Sequence, residues 1–217
     1  MPRLFRKIQD GIDIAAIVGE IDARPDIWSI DFQRQQAIAV QRETEAVLVF
    51  AHSGSETFKE ARQREPLRYH GVPSAAAEDL PRTRKFVERL ARQAHGRPGR
   101  AALVKLRPHG RVYPHIDRGL YYQFRDRYHL VLKSPAGSRL RAESDEVRMR
   151  EGELWWFDNR VPHEAFNDAD ADRIHLIIDV LSPGSIGRFP SRNARQPRAT
   201  LGALRRRLWA RGNKSRE

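Results

Sequence analysis

After Pro98 the apolar residues of this chain stop recurring at helical spacing and gather into short runs, and that change constrains the fold more than any other feature of the sequence. Residues 101–106 (AALVKL), 128–133 (YHLVLK), 139–142, 153–157 (ELWWF) and 174–181 (IHLIIDVL) are apolar and rich in β-branched or aromatic side chains. Glycine and proline separate them, at Pro108, Gly110, Pro135, Gly137, Gly152 and Pro162. Several short strands so close together, with no room for crossover helices, predict an antiparallel sandwich or barrel and exclude a parallel α/β sheet. A double-sheet jelly roll has the right number of strands for a segment of about 85 residues.

The first 98 residues read as mainly helical. Residues 11–23 place apolar side chains at mixed helical spacing, closed by Pro25. Residues 82–95 put Phe86, Val87, Leu90 and Ala94 on one face, with Gly96 placed to cap the end. Residues 46–52 (AVLVFAH) predict a strand, and 53–75 a loop. The expected architecture is α+β and mainly β: a double-stranded β-helix, cupin-like, over residues 99–184, with the N-terminal helices packed on one sheet face. Residues 1–184 would form one domain, and 185–217 a basic tail.

Charge supports that division. The tail carries ten basic residues against Glu217 alone, whereas the remaining 184 residues carry 30 basic and 27 acidic groups. A net charge of +12 therefore does not make the body a nucleic-acid binder, although the tail leaves that partner open. Residues 201–211 (LGALRRRLWAR) predict a short amphipathic helix. No apolar run approaches the ~20 residues that span a bilayer. The N-terminal apolar stretch is interrupted by Asp10 and Asp13, so a cytoplasmic protein without a signal peptide is expected.

The chain has no cysteine, so a metal would have to be held by histidine and carboxylate. Eight histidines are present, and His115-Ile116-Asp117 is the notable local pattern, because on a strand residues i and i+2 share a face. Alone it is weak, since chance supplies such a triplet in about half of chains with this content. His163 stands 48 residues further on, beside Pro162, and Arg173 ten residues beyond that at the head of an apolar run. Two imidazoles and one carboxylate form the facial triad of non-haem Fe(II) oxygenases. An arginine at the mouth of a core strand makes sense if its planar fork grips a carboxylate. A 2-oxo dicarboxylic acid would meet the iron with one end and Arg173 with the other.

LRPHGRVYPHID (106–117), RYHLVL (127–132), EGELWWFDN (151–159) and HEAFNDADADRIHLIID (163–179) together resemble the aspartyl/asparaginyl β-hydroxylase family of Fe(II)/2-oxoglutarate oxygenases. The resemblance implies that His115, Asp117 and His163 hold Fe(II) and that Arg173 pairs with the distal carboxylate of 2-oxoglutarate. It places His129 and Arg127 among further carboxylate-binding or substrate-binding groups. Asp117 aligns the chain with bacterial members; the vertebrate aspartate β-hydroxylase has glycine there. Val104 stands where that enzyme has a serine near the cosubstrate, so that contact is missing or comes from another group. The implied reaction uses dioxygen and couples decarboxylation of 2-oxoglutarate to hydroxylation of an unactivated C–H bond in an amino acid, free or within a peptide or protein. The rival from another class is a non-catalytic metal-binding jelly roll whose tail docks on nucleic acid or ribosomes.

Bland alternatives stand beside these roles. His129 and His175 fit satisfied core histidines, and His109 a turn. Trp155 and Trp156 alternate sides, one for the core and one for a cleft. Arg118, Tyr121, Tyr122 and Arg125 lie in a loop that either covers a substrate or is plain polar surface, and Arg160 either grips an acidic substrate or is solvated.

Overall fold

A computed structural model describes residues 4–29, 39–52 and 70–187. Most of the loop expected over 53–75 and the amphipathic helix expected over 201–211 lie outside these residues. The chain divides into two units, Met1–Gly187 and Arg188–Glu217, and every described residue belongs to the first.

Among the described residues eleven strands build two antiparallel sheets. They are β1 (Phe5–Gln9), β2 (Thr44–His52), β3 (Gly71–Pro73), β4 (Arg97–Leu106), β5 (Arg111–His115), β6 (Asp126–Lys133), β7 (Ser138–Ala142), β8 (Asp145–Val147), β9 (Leu154–Phe157), β10 (His163–Asn167) and β11 (Arg173–Leu181). The large sheet runs β1-β9-β6-β11-β4-β2-β3 and the small one β5-β10-β7-β8. The predicted mainly β, jelly-roll architecture is present. The described part of the first 98 residues is less helical than expected, because β1 and β3 join the large sheet beside the predicted strand β2. β1 (FRKIQ) escapes a hydrophobicity reading because it is an edge strand with four exposed residues; its Lys7 pairs with Glu153 and its Arg6 lies over Trp156.

Alternation along β11 sorts the two faces of the large sheet. Ile174, Leu176, Ile178 and Val180 are all at most 4% exposed and point to the outer face, with Leu103, Leu130, Leu132, Val47 and Val49. Burying each such side chain contributes roughly 1.5–3 kcal/mol. The outer face is covered by α1 (Ala15–Asp22) and α3 (Pro81–Gln93), the latter preceded by a one-turn helix, α2 (Ala76–Asp79). Proline opens α3, where its missing N–H costs nothing, and Glu20 of α1 accepts from the backbone N–H of Arg82 and Thr83. At its other end His95, not Gly96, takes the left-handed conformation (φ 50°), and the Gly96 N–H bonds to Ala91 O. Gly96 is required for a different reason: a Cβ there would sit 2.4 Å from the Leu181 carbonyl.

The complementary residues of β11, namely Arg173, His175, Ile177 and Asp179, line the inner face opposite the small sheet. Rows across the strands extend this face. Thr44, Leu106 and Arg173 form one; Ala46, Val104, His175 and Val131 another; Asp179, Arg127 and Phe157 a third. Polar and charged residues thus stand on the inner face of a core strand, where an apolar packing role does not account for them. Among the described residues no helix is long and apolar enough to cross a membrane.

Candidate active site

β5 and β10 carry the two histidines to the inner face. His115 pairs with His163, and Val112 with Ala165, so β10 advances two residues while β5 advances three. This bulge turns both Val112 and His115 inward, which strict alternation would forbid. The imidazole centroids are 4.2 Å apart. Each histidine follows a proline, as Tyr113-Pro114-His115 and Val161-Pro162-His163. Each donates through Nδ1 to the carbonyl two residues back, His115 to Tyr113 O at 2.8 Å and His163 to Val161 O at 2.9 Å. The hydrogen bonds set the tautomer and leave both Nε2 lone pairs unencumbered.

Asp117 lies just past the end of β5 and not on a strand, as the i/i+2 argument assumed. Its backbone N–H donates to Asn159 O at 3.1 Å, which returns its side chain to the site. Oδ1 lies 4.0 Å from His115 Nε2. Oδ2 accepts from Asn159 Nδ2 at 2.9 Å and from Arg127 Nη1. One oxygen is therefore committed to the protein and the other faces the imidazoles. Donor atoms of His115, Asp117 and His163 all lie within 4.8 Å of one another. Two free imidazole nitrogens and one free carboxylate oxygen suit a divalent cation with open positions.

The electrostatics favour the ligating forms. Burial opposes ionisation of Asp117, but Arg127, His163 and Asn159 outweigh it and hold the carboxyl below its usual range. Burial, and next the neighbouring His115, push His163 down to about 4. Burial opposes the charge of Arg127, yet Asp179 and Asp117 beside it raise its pKa well above the ordinary value.

Arg173 is 5% exposed and sits in the same cleft as His115, His163, His129, Arg127, Val104 and Thr44. Among the described residues no carboxylate pairs with it; burial alone lowers its pKa to about 10. Its Nη2 donates to His175 Nδ1 at 3.3 Å, and that atom also lies 3.3 Å from His129 Nδ1. Since arginine only donates, His175 Nδ1 accepts and His129 Nδ1–H donates to it. Nε2 of each histidine is buried without a partner among the described residues. Burial, reinforced by Arg173, lowers both pKa values well below the ordinary range, so both rings are neutral.

His115, Asp117 and His163 are thus brought together, and Arg173 and His129 share their cleft. Arg127 lines the cleft too, and its guanidinium engages two protein carboxylates, Asp117 and Asp179. The remaining expectations divide. His109 is a turn residue (φ 54°) beside Asp170. Trp156 packs in the outer-face core and donates to Asp126 at 2.7 Å, Trp155 donates to Glu153, and neither lines the cleft. Arg118 is exposed, whereas Tyr121, Tyr122 and Arg125 are buried, so the part of their segment that includes the short helix α4 (Leu120–Gln123) is packed structure. Arg160 is bound by its neighbour Asp158. Asn159 and Asp179 escape a reading of the sequence alone. Parity gives Asp179 away, since it is the fourth inward position counted by twos from Arg173.

The sequence pattern of the aspartyl/asparaginyl β-hydroxylase family matches residues 34–183, more than half of the chain. The chain belongs to that family. Among curated proteins, the L-proline cis-4-hydroxylase of Rhizobium meliloti (strain 1021) is 31% identical over 101 residues. That match covers 45% of this chain and 35% of the hydroxylase, so the chain spans about a third of that relative's length. Among solved structures, the 2OG complex of the collagen prolyl hydroxylase of Paramecium Bursaria Chlorella virus-1 aligns with 83% of this chain and 97% of its own at 11% identity (TM-score 0.48). A cupin domain from Bordetella pertussis aligns with 39% of this chain and 92% of its own at 14% identity (TM-score 0.31).

Proposed function

We propose that this member of the family is an Fe(II)- and 2-oxoglutarate-dependent hydroxylase that inserts oxygen into an unactivated C–H bond of an amino acid, free or within a peptide. The observation that carries the proposal is three converging donors, two of them lining one cleft with a buried guanidinium that no carboxylate pairs among the described residues. His115 Nε2, His163 Nε2 and Asp117 Oδ1 would hold Fe(II). With dioxygen and 2-oxoglutarate, iron supplies the oxidising chemistry that decarboxylates the cosubstrate and hydroxylates the target. Arg173 meets the distal carboxylate of 2-oxoglutarate with its planar fork, which replaces a desolvated lone cation by an ion pair. Val104 contributes no hydroxyl at that wall; Thr44, in the row of Arg173, brings one to the cleft. His129 lines the same cleft and is a further polar group beside the cosubstrate. The apolar wall of Ala102, Val104, Leu140, Phe157 and Ile177 keeps water from the reacting atoms. The matched relative suggests proline and similar amino acids as the substrates to try first.

The test is succinate formation by the iron-loaded protein across free amino acids, proline among them, and peptides, with mass spectrometry for an added oxygen. Iron-dependent succinate and an oxygenated product are expected. No 2-oxoglutarate consumption with any substrate, and none uncoupled, would refute the assignment.

A further inference from the structure

Asp179 is 2% exposed, lies on the inner face of β11 and is not one of the converging donors. It makes a two-pronged pair with Arg127, Nε to Oδ1 at 2.8 Å and Nη2 to Oδ2 at 3.0 Å. Tyr121, fully buried on α4, donates to the same carboxylate at 3.1 Å while its oxygen accepts from the Arg100 N–H at 2.8 Å. With the Nε–Nη2 edge of its guanidinium occupied by Asp179, Arg127 presents Nη1 to Asp117 Oδ2.

This chain of contacts has a geometric effect and an electrostatic one. Arg127 held by Asp179 can engage one oxygen of Asp117, whereas an unanchored guanidinium would turn its fork onto both carboxylate oxygens, the arrangement arginine prefers. Arg127, Asp117 and Asp179 together carry one net negative charge; without Asp179 they carry none, and a lone buried guanidinium beside the triad opposes a dication.

Building on the metal site proposed above, we infer that Asp179 is a positioning residue for the metal carboxylate. It anchors Arg127 so that Asp117 keeps Oδ1 for the cation, and it neutralises the cation that Arg127 would otherwise set against the metal. Tyr121 steadies this anchor.

Cobalt(II) titration of the full chain tests the inference, read by d–d absorption and calorimetry. Wild type should bind, and His163→Ala should bind much more weakly. Absent binding by wild type, or equal binding by His163→Ala, would overturn the metal site itself. Given that site, Asp179→Asn should bind cobalt about tenfold to a hundredfold more weakly, the range seen when groups behind metal ligands are removed, and its d–d spectrum should change. A double-mutant cycle separates positioning from general damage. In an Asp117→Ala background, adding Asp179→Asn should weaken the residual affinity by less than in wild type, because the carboxylate it positions is gone and only its charge still acts. Wild-type affinity and spectrum in Asp179→Asn, or an equal loss in both backgrounds, would overturn the inference. Should Asp179→Asn fail to fold, Tyr121→Phe removes one hydrogen bond from the anchor; a smaller loss of the same sign supports the inference, and unchanged affinity overturns it.

Discussion

Replacing Arg173 by methionine should make the protein more stable and less able to hold its cosubstrate. The guanidinium is buried without a carboxylate among the described residues, and burial drops its pKa to about 10. At ~1.36 kcal/mol per pH unit the drop corresponds to about 3 kcal/mol against the charged form. Arginine stays protonated in the folded and unfolded protein at neutral pH, so this cost is fully present at pH 7 and constant below about pH 10. Methionine fills similar volume without charge. It also deprives His175 Nδ1 of a donor, which returns about 1 kcal/mol. A net gain of about 2 kcal/mol should raise the melting temperature by roughly 4–8 °C. Loss of the partner for a desolvated carboxylate should cost about 2–5 kcal/mol of 2-oxoglutarate binding, a weakening of about thirtyfold or more. Thermal unfolding of metal-loaded protein with and without 2-oxoglutarate reads both effects. Wild type should melt lower alone and rise with the cosubstrate, whereas Arg173→Met should start higher and rise little. A variant that melts below wild type without cosubstrate would show the guanidinium to be satisfied within the protein. Equal protection by 2-oxoglutarate would remove Arg173 from its site.

Three further outcomes are expected. His115→Ala, Asp117→Ala and His163→Ala should each abolish succinate production while circular dichroism stays near wild type; near-normal turnover in any one would take that residue out of the triad. His163, with a folded pKa of about 4, and the neutral pair His129 and His175 favour the unprotonated state in the fold, whereas unfolded histidine titrates near 6.5. The unfolded chain therefore takes up protons first, so stability should be constant above about pH 7 and fall between pH 6.5 and 4, by up to ~1.4 kcal/mol per pH unit for each histidine; denaturant midpoints at pH 7, 6 and 5 that coincide would contradict this. Gly71→Ala should destabilise by roughly 1–3 kcal/mol, because its Cβ would fall 1.8 Å from the Gly99 carbonyl oxygen of β4; an unchanged melting curve would deny that close approach.

The long apolar strands β4, β6 and β11 and the helix α3 were legible because each repeats one period over enough residues to show it. β1, β5 and β10 were not. They are short, carry charge or follow proline, and owe their existence to pairing with partners distant in sequence. The grouping of His115, Asp117 and His163 was readable from residue types and order, although strand alternation does not produce it: Asp117 reaches the histidines through a turn tied to Asn159, not along a strand. Arg127 shows what position alone leaves out. Its place suggested a carboxylate-binding or substrate-binding group, and it lines the cleft; its contacts with two carboxylates of the protein were not readable. Nothing local to residues 126–129 foretells this, because the deciding partner lies 52 residues away on β11.

The two X-Pro-His tripeptides have a consequence for how a cation would arrive. Each imidazole is oriented by a carbonyl of its own tripeptide, in a stretch whose proline already restricts the backbone. Neither ring therefore waits for a metal to choose its rotamer or its tautomer. Association is spared the entropy of immobilising the ligands, and exchange of one divalent ion for another need not pass through a loosened fold. Such a site owes its shape to the protein, so selection among ions of like charge would fall to their supply in the cell and to the groups standing behind Asp117.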